Sequence, residues 1–350
     1  MAQSLRTVRV LTLGTTGTQD ITISGFGTCI GAIFDMNVGD TDNTVQTTDR
    51  SSIGFCDGTR QAVSAVGSGN GNTTTETARL ERDNAVIVDL SGNQSIAGLA
   101  VFDSFITDGV RINVTTASAN RFCNVTLIGG DATNVYVNYS PALGTSAGNT
   151  VISTVGFEPD LVQASCTGLG AVNSVAAHSI ITRGIAVNDG ADANFMRGAF
   201  DQSGISTTNT GSYVSNVYSI GQFFNNTLGW GASIGSYTSN GFTVTTNTDS
   251  NDDIFAYIAI KFADTFVKAE IEDSPSTTGS SSLGATPSTP NFLQIIGSGA
   301  SALNTATAGL NESDSYFDAT NQYSASSYAT DNVSTSDSGK INRSGGLRQL

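Results

Sequence analysis

The sequence predicts an all-β protein built from tandem antiparallel β-sandwich domains, jelly-roll-like, with an incomplete third repeat. Three observations support this prediction: short apolar runs alternate with turn residues, one strand motif recurs far along the chain, and the composition favours strands. Of the 350 residues only 13% are charged, and Ser, Thr, Asn and Gly provide the polar surface. Since Thr suits pleated surfaces and Asn and Gly suit turns, strands joined by turns are expected throughout.

The recurring motif consists of an aromatic residue, a polar turn ending in Asp-Gly or Asn-Gly, and an alternating strand. It occupies 104–114 and again 236–246, which is 132 residues later. A second strand recurs at 122–128 and 255–261, with an offset of 133 residues. Asp-Gly and Asn-Gly favour the positive φ of tight hairpins. Nearly equal offsets over separate strands indicate a duplicated unit.

The duplication predicts which positions are equivalent and which are buried. The expected equivalent pairs are Gly109 with Gly241 and Phe122 with Phe255. The residues expected in the cores are Phe105, Ile112, Phe122, Tyr237, Val244 and Phe255.

The offsets divide the chain into repeat one (1–130), repeat two (131–262) and a third segment (263–350). The third segment begins like repeat two, because 267–271 is similar to the strand that starts at Val135. It then lacks both the aromatic-turn-glycine strand and the closing aromatic strand. Since an unfinished sandwich exposes strand edges, we expect an assembly arm that is completed by an adjacent subunit. A disordered Ser/Thr-rich tail is the alternative.

Charge is unevenly distributed along the chain, which has 30 acidic and 15 basic residues and a net charge of −15. The stretch 340–350 contains Lys340, Arg343 and Arg348 and no acid. A basic tail can pair with the acidic surface of an identical neighbour, so these three residues are the expected assembly contacts. The acidic balance argues against nucleic-acid partners. No apolar run is long enough to cross a bilayer, so membrane insertion is not expected.

The cysteines and the N-terminus bear on the compartment. No apolar stretch precedes a cleavage site near the N-terminus, so we expect no signal peptide. Cys29, Cys56, Cys123 and Cys166 show no Cys-x-x-Cys spacing. Cys123 lies on the apolar face of its strand, and we interpret it as a core residue rather than a disulfide partner or metal ligand. Folding in a reducing cytoplasm is expected.

Repeat two also combines four motifs that are found together in a known module. They are the Gly-Phe-x-Pro-Asp-x-Val opening at 156–162, a central Arg183-Gly184 or Arg197-Gly198, the strand at 236–244 and the closing aromatic strand at 255–261. With these motifs, repeat two resembles a module of tail and virion proteins of marine phages. Repeat one matches less closely, since 27–29 replaces the Pro-Asp and Val110 replaces the Phe.

The resemblance covers about two thirds of the chain. It implies a virion structural role after assembly in the host cytoplasm, with identical subunits and other virion proteins as partners. It transfers no catalytic residue.

The sequence contains no catalytic constellation. The single histidine, His178, precedes Ser179, but no Gly-x-Ser-x-Gly elbow surrounds a serine, so we expect a structural histidine. Zinc sites prefer clustered His and Cys, which the sequence lacks. A glycosidase pair cannot be selected among 30 acids, and since phage appendages can carry depolymerases this alternative stays open. We therefore expect a protein that is not an enzyme and has no cofactor.

Three acidic turns have oxygen ligands of the kind that bind Ca²⁺. The best of them is 249–253, where Asp249, Asn251 and Asp253 are the candidate ligands. None of the three turns has the twelve-residue loop with its closing Glu, so solvated turns are the expected alternative.

Two functions therefore remain open. The first is a non-catalytic structural protein of a bacteriophage virion, a tail or head-surface component such as a fibre or capsid decoration protein, which acts through subunit contacts. The second is a carbohydrate- or receptor-binding adhesin that recognises a host surface glycan. Trp230 with Tyr213, Tyr218 and Tyr237 could stack on sugars, although packing is the commoner role of such residues.

Overall fold

A computed structural model describes residues 4–190, 192–264, 267–269, 292–300, 302–318 and 320–344. Throughout these residues the chain forms strands joined by turns, arranged as five antiparallel sheets, and the described part contains no helix. The predicted all-β class is confirmed.

The strands of repeat one form two sheets, except for the short strand at 45–46, which pairs elsewhere in the chain. They are β1 (Leu5–Thr12), β2 (Gly17–Thr22), β3 (Cys29–Asn37), β4 (Val45–Gln46), β5 (Asp49–Cys56), β6 (Gln61–Ser68), β7 (Thr77–Arg82), β8 (Ile87–Leu90), β9 (Ile96–Ile106), β10 (Gly109–Thr116) and β11 (Arg121–Gly129). The large sheet has the order β1-β11-β3-β5-β6-β7, and the small sheet has the order β2-β10-β9-β8. The chain crosses between the sheets from β1 to β2, from β2 to β3, from β7 to β8 and from β10 to β11, as in a jelly-roll-like sandwich.

Repeat two has the same architecture. Its strands are β12 (Ala132–Tyr139), β13 (Gly148–Ile152), β14 (Leu161–Leu169), β15 (Ser174–Ala177), β16 (Ser179–Val187), β17 (Ala193–Asp201), β18 (Thr210–Ser215), β19 (Ile220–Phe224), β20 (Thr227–Thr238), β21 (Gly241–Thr246) and β22 (Ile254–Phe262). The large sheet is β12-β22-β14-β16-β17-β18 and the small sheet is β13-β21-β20-β19. Strand for strand, this is the order of repeat one.

The third segment has one sheet. Its strands are β23 (Phe292–Ser298), β24 (Thr307–Ala308), β25 (Leu310–Asp318), β26 (Gln322–Ala329) and β27 (Ser338–Ser344). β24 does not belong to this sheet, whose order β23-β25-β26-β27 corresponds to β3-β5-β6-β7 and to β14-β16-β17-β18. Within the described residues, the third segment has no counterpart of the closing strands β11 and β22, nor of the small sheets.

The recurring motif forms equivalent hairpins in the two repeats. The turn between β9 and β10 ends at Asp108, which has a φ of 64° and thus provides the left-handed conformation. Glycine is required at the next position because of close backbone approach. A Cβ on Gly109 would lie 2.0 Å from the Ile21 carbonyl oxygen, and one on Gly241 would lie 2.0 Å from that of Ile152.

The second predicted equivalence is wrong by one residue. Counted along the paired strands, Val125 corresponds to Tyr257, so Cys123 rather than Phe122 corresponds to Phe255. A shift of one residue moves a strand side chain to the opposite face of the sheet. The burial agrees with the corrected pairing, because Cys123 and Phe255 are fully buried and Phe122 is only half-buried.

Each sandwich encloses an apolar core between its large and small sheets. Among the predicted core residues, Ile112, Val244 and Phe255 are fully buried. Phe105 and Tyr237 are half-buried and pack against the edges of these cores.

The second faces of the large sheets are also buried. Along β3, Phe34 contributes to the sandwich core, whereas Ile33 belongs to a different cluster together with Ile258 and Ile260 of repeat two. A smaller cluster contains residues of all three parts, namely Val66, Ile181, Ala199, Leu310 and Ala329. The large sheets therefore pack against one another through the faces that point away from the sandwich cores.

Three short strands link the parts in a closed cycle. In this cycle β4 of repeat one pairs with β27 of the third segment, β15 of repeat two pairs with β7 of repeat one, and β24 of the third segment pairs with β18 of repeat two. Each part thus extends one neighbour's sheet and receives a strand from the other. The sequence led us to expect an adjacent subunit beside the third segment, but the strand that extends its sheet at β27 belongs to its own chain.

Candidate functional site: the junction between the repeats

The three linking strands share one register. In each case the third residue of the receiving strand pairs with the linking strand, and the pairs are Arg79 with Ala176, Ser212 with Thr307 and Lys340 with Gln46. The linking-strand residues of these pairs are 130 and 131 residues apart, which is within three residues of the repeat spacing of 132 to 133. The three junctions are therefore copies of one interface.

Near two of the three junctions, a carboxylate accepts a hydrogen bond from a backbone N–H at the edge of a neighbouring strand. Asp57, which follows β5, accepts a hydrogen bond of 2.8 Å from the Val137 backbone N–H in β12. Asp318, at the end of β25, accepts one of 3.2 Å from the Thr7 N–H in β1. Because an unpaired edge N–H recruits other strands, each carboxylate protects the first strand of a repeat. The matching residue of repeat two is Val187, which packs in an apolar cluster instead.

An ionic cluster occupies the centre of the junction. Arg183 of β16 donates hydrogen bonds to Asp35 at 2.9 Å and to Asp314 at 2.6 Å. Arg197 of β17 pairs with Asp314 and Glu312. None of these side chains is more than 6% exposed. Since the arginines belong to repeat two and the acids to repeat one and the third segment, the cluster joins all three parts.

Burial and mutual attraction oppose each other in this cluster. Desolvation disfavours every charged form. Burial alone would lower the pKa of Arg183, but Asp35 and Asp314 together raise it above its usual value. Burial would raise the pKa of Glu312, but Arg197 and Arg183 outweigh it and hold that pKa below its usual value. The charges therefore stabilise one another, and loss of one leaves an uncompensated buried charge.

Lys340, one of the expected assembly contacts, lies inside this junction. Its side chain is buried, and its Nζ is 3.7 Å from Asp49 Oδ1 of repeat one. Burial raises the pKa of Asp49 to about 6 even though Lys340 opposes the shift. Lys340 thus joins parts of one chain, which differs from the expected exposed contact with a neighbour. Arg343 is half-buried in β27, and Arg348 lies outside the described residues.

A second buried acid lies between repeats one and two. Glu81 of β7 has no exposed surface and accepts a hydrogen bond of 2.8 Å from the Thr167 N–H of β14. The hydroxyl groups of Ser64 and Tyr139 lie 2.8 and 3.0 Å from its other oxygen. Burial raises the pKa of Glu81 to about 8, although these hydrogen bonds oppose the shift. Glu81 therefore holds a proton at neutral pH.

The side chains of the candidate calcium ligands Asp249 and Asp253 bind different partners and differ in burial. Asp253 is buried, and its Oδ2 accepts a hydrogen bond of 2.8 Å from the Trp230 indole N–H. Asp249 is exposed and accepts a hydrogen bond of 2.7 Å from the Asn251 backbone N–H, which closes a local turn. Among the residues that the structure describes, no group of three or more His, Cys, Asp or Glu side chains could hold a metal ion.

The contacts of His178 are those of a residue with a structural role. Its Nδ1 accepts a hydrogen bond of 3.0 Å from the Ser203 backbone N–H, and its ring packs against Phe224 at 5.1 Å between centroids. Burial, with a further contribution from Arg79, lowers its pKa, so the imidazole is neutral at pH 7. The four cysteines are free and buried.

The aromatic residues considered for sugar stacking are largely internal. Trp230 and Tyr213 are buried, and Tyr218 and Tyr237 are half-buried. A surface depression of about 380 Å³ next to Phe26 is lined mainly by glycine and small side chains and has no charged side chain.

The Arg-Gly motif of repeat two has a structural explanation. Arg183 points into the ionic cluster, and Gly184 faces the small sheet. A Cβ on Gly184 would lie 1.5 Å from the Ser219 carbonyl oxygen. Gly54, the equivalent residue of repeat one, is just as confined, since a Cβ there would lie 1.9 Å from the Val86 oxygen. The motif therefore combines an interdomain ion pair with close packing inside the sandwich.

Sequence patterns did not single out four buried acids of the junction, which are Asp35, Glu81, Glu312 and Asp314. One pattern could have revealed them: each is an acid within a strand, near small or apolar neighbours. A charge that is buried in such a strand requires a partner. Which partner it has depends on the fold.

Comparison with known proteins assigns no family. No family model matches the chain, and no curated protein is significantly similar to it. The described residues include no helix with the length and apolar character needed to cross a membrane.

Proposed function

We propose that this chain is a non-catalytic structural protein of a bacteriophage virion, a tail or head-surface component such as a fibre or capsid decoration protein. The observation that best supports the proposal is the closed cycle of linking strands, with one register at three junctions. Domains of a multidomain chain ordinarily move relative to one another unless their interface is extensive. Here backbone pairing, edge carboxylates and buried ion pairs all serve to hold the parts together.

The charges of the junction favour this mechanical role over a chemical one. The side chains of the ionic cluster are at most 6% exposed, so that their charges meet each other and not a solute. The similarity of repeat two to phage virion modules suggests the kind of assembly. Identical subunits and other virion proteins are the proposed partners.

Electron microscopy of particles tests the proposal. Antibodies against the full chain would be applied to purified particles of the virus that encodes it, and the gold label would be located. We expect label at a fixed position on the head or tail. Particles without the protein would overturn the virion role. Turnover of a bacterial surface glycan by the purified chain would overturn the non-catalytic role.

A further inference from the structure

Strand β23 lies at a sheet edge, whereas its counterparts in the repeats are internal. β3 lies between β11 and β5, and β14 lies between β22 and β16, but β23 pairs with β25 alone in the described part of the chain. Burial reflects this difference. All nine residues of β14 are buried, while every residue of β23 is partly exposed. Among the described residues, the third segment therefore has no strand at the position that β11 and β22 fill in the repeats.

The sequence of this edge suits pairing with another strand. Phe292–Ser298 contains no charged residue and no proline. Sheet edges in native proteins are commonly protected by charges, prolines or covering groups. The edges of β1 and β12 are protected in this way by Asp318 and Asp57. No such group covers β23 among the described residues.

We infer that β23 is a docking site for an extended strand donated by a different protein, which adds antiparallel to Phe292–Ser298 in the place that β22 takes beside β14. The inference deepens the proposed structural role and rests on it for its biological setting. In strand addition of this kind, backbone hydrogen bonds provide affinity and the flanking side chains provide selectivity.

The side chains of β23 define the chemistry of the donated strand. Gln294 contacts Gln163 of repeat two, so Gln294 and Ile296 face the junction. Leu293 and Ile295 alternate with them and face outward. A matching strand is therefore uncharged, has apolar side chains on both faces, and is as long as the seven residues of β23.

A peptide with the sequence of residues 254–260 is a suitable probe, because this stretch of β22 has seven uncharged residues and β22 is the strand that pairs with β14. The labelled peptide would be titrated against the intact chain and followed by fluorescence anisotropy. We expect saturable binding, weakened about tenfold by Ile295→Lys, which places a charge on the edge strand. Val151→Lys is the matched control, since Val151 is 65% exposed on another edge strand and its variant should bind like the parent. A peptide with proline in place of Ile258 should not bind, because it lacks one N–H donor.

Circular dichroism would establish that each variant is folded. Absence of peptide binding to the folded parent would overturn the inference, and so would equal binding of the normal and proline peptides. If light scattering showed a parent dimer that Ile295→Lys converts to a monomer, the edge would belong to a second copy and not to a different protein. The two proposals can fail separately. The proposed function fails if the protein is absent from virus particles, whereas the docking site fails if the purified chain does not bind the peptide.

Discussion

Replacement of Arg183 by methionine tests whether the ionic cluster holds the three parts together. Arg183→Met keeps a long side chain but removes the guanidinium that pairs with Asp35 and Asp314. Both carboxylates then stay buried, with exposures of 0% and 6%, and Asp35 loses its ion-pair partner. Breaking a buried pair by removing one partner costs about 3–5 kcal/mol of unfolding free energy. We expect a loss of this size.

Urea unfolding followed by tryptophan fluorescence is the appropriate assay. Trp230 is the only tryptophan of the chain and is fully buried in the core of repeat two, so its emission reports on the repeat that contains Arg183. The control is Arg111→Met, which removes an exposed ion pair with Asp20 and should leave the midpoint unchanged.

A double variant adds a second check. Asp35→Asn in the Arg183→Met background removes the unpaired carboxylate and should recover part of the loss, since groups in contact have coupled effects. A loss below about 1 kcal/mol for Arg183→Met, or a loss equal to that of the Arg111 control, would refute the assigned role of the cluster.

Three further predictions concern the junction and the sandwich packing. Because burial raises the pKa of Glu81 from 4.5 to about 8, the folded chain holds a proton that the unfolded chain releases, so stability should fall as pH rises between these values. Glu81→Gln should flatten this slope in urea titrations at several pH values, and an unchanged slope would contradict the assignment. Gly184→Ala should cost about 1–3 kcal/mol in thermal unfolding because its Cβ meets a carbonyl oxygen, whereas Gly148→Ala, with no atom within 4 Å, should cost nothing measurable. Deletion of 263–350 should lower the melting temperature, since it uncovers the edge of β18, removes Asp314 from Arg183 and leaves the buried Arg197 without either of its acids; a truncated chain that melts like the parent would show that the junction contributes little.

The all-β class and the duplication were predictable because they depend on local patterns. Alternating apolar residues and turn glycines act over a few neighbours, and the same pattern at 104–114 and 236–246 gives the same hairpin. The correspondence of individual residues between the two repeats was less predictable. An aromatic residue begins both closing strands, so the sequence predicts that Phe122 corresponds to Phe255. Burial, however, depends on the face of the strand, and a shift of one residue reverses it.

The junction was decided only by the tertiary structure. A sequence pattern identifies the buried face of a strand by its apolar residues. The sheet faces at the junction are buried but contain Asp35, Arg183 and Asp314 among their apolar residues, so this pattern does not identify them. Arg183 and Asp35 are 148 residues apart, and no local rule pairs one lone charge with another at that distance. The same reason applies to Lys340, which the sequence placed on an exposed tail. The sequence by itself determined the all-β sheets and predicted that the third segment lacks closing strands, and the described residues contain none there. The packing of the three similar sheets decided which strands and charges contact the third segment. The physical reason is that a buried charge requires an opposite charge as its partner, and only the tertiary structure brings a distant one close.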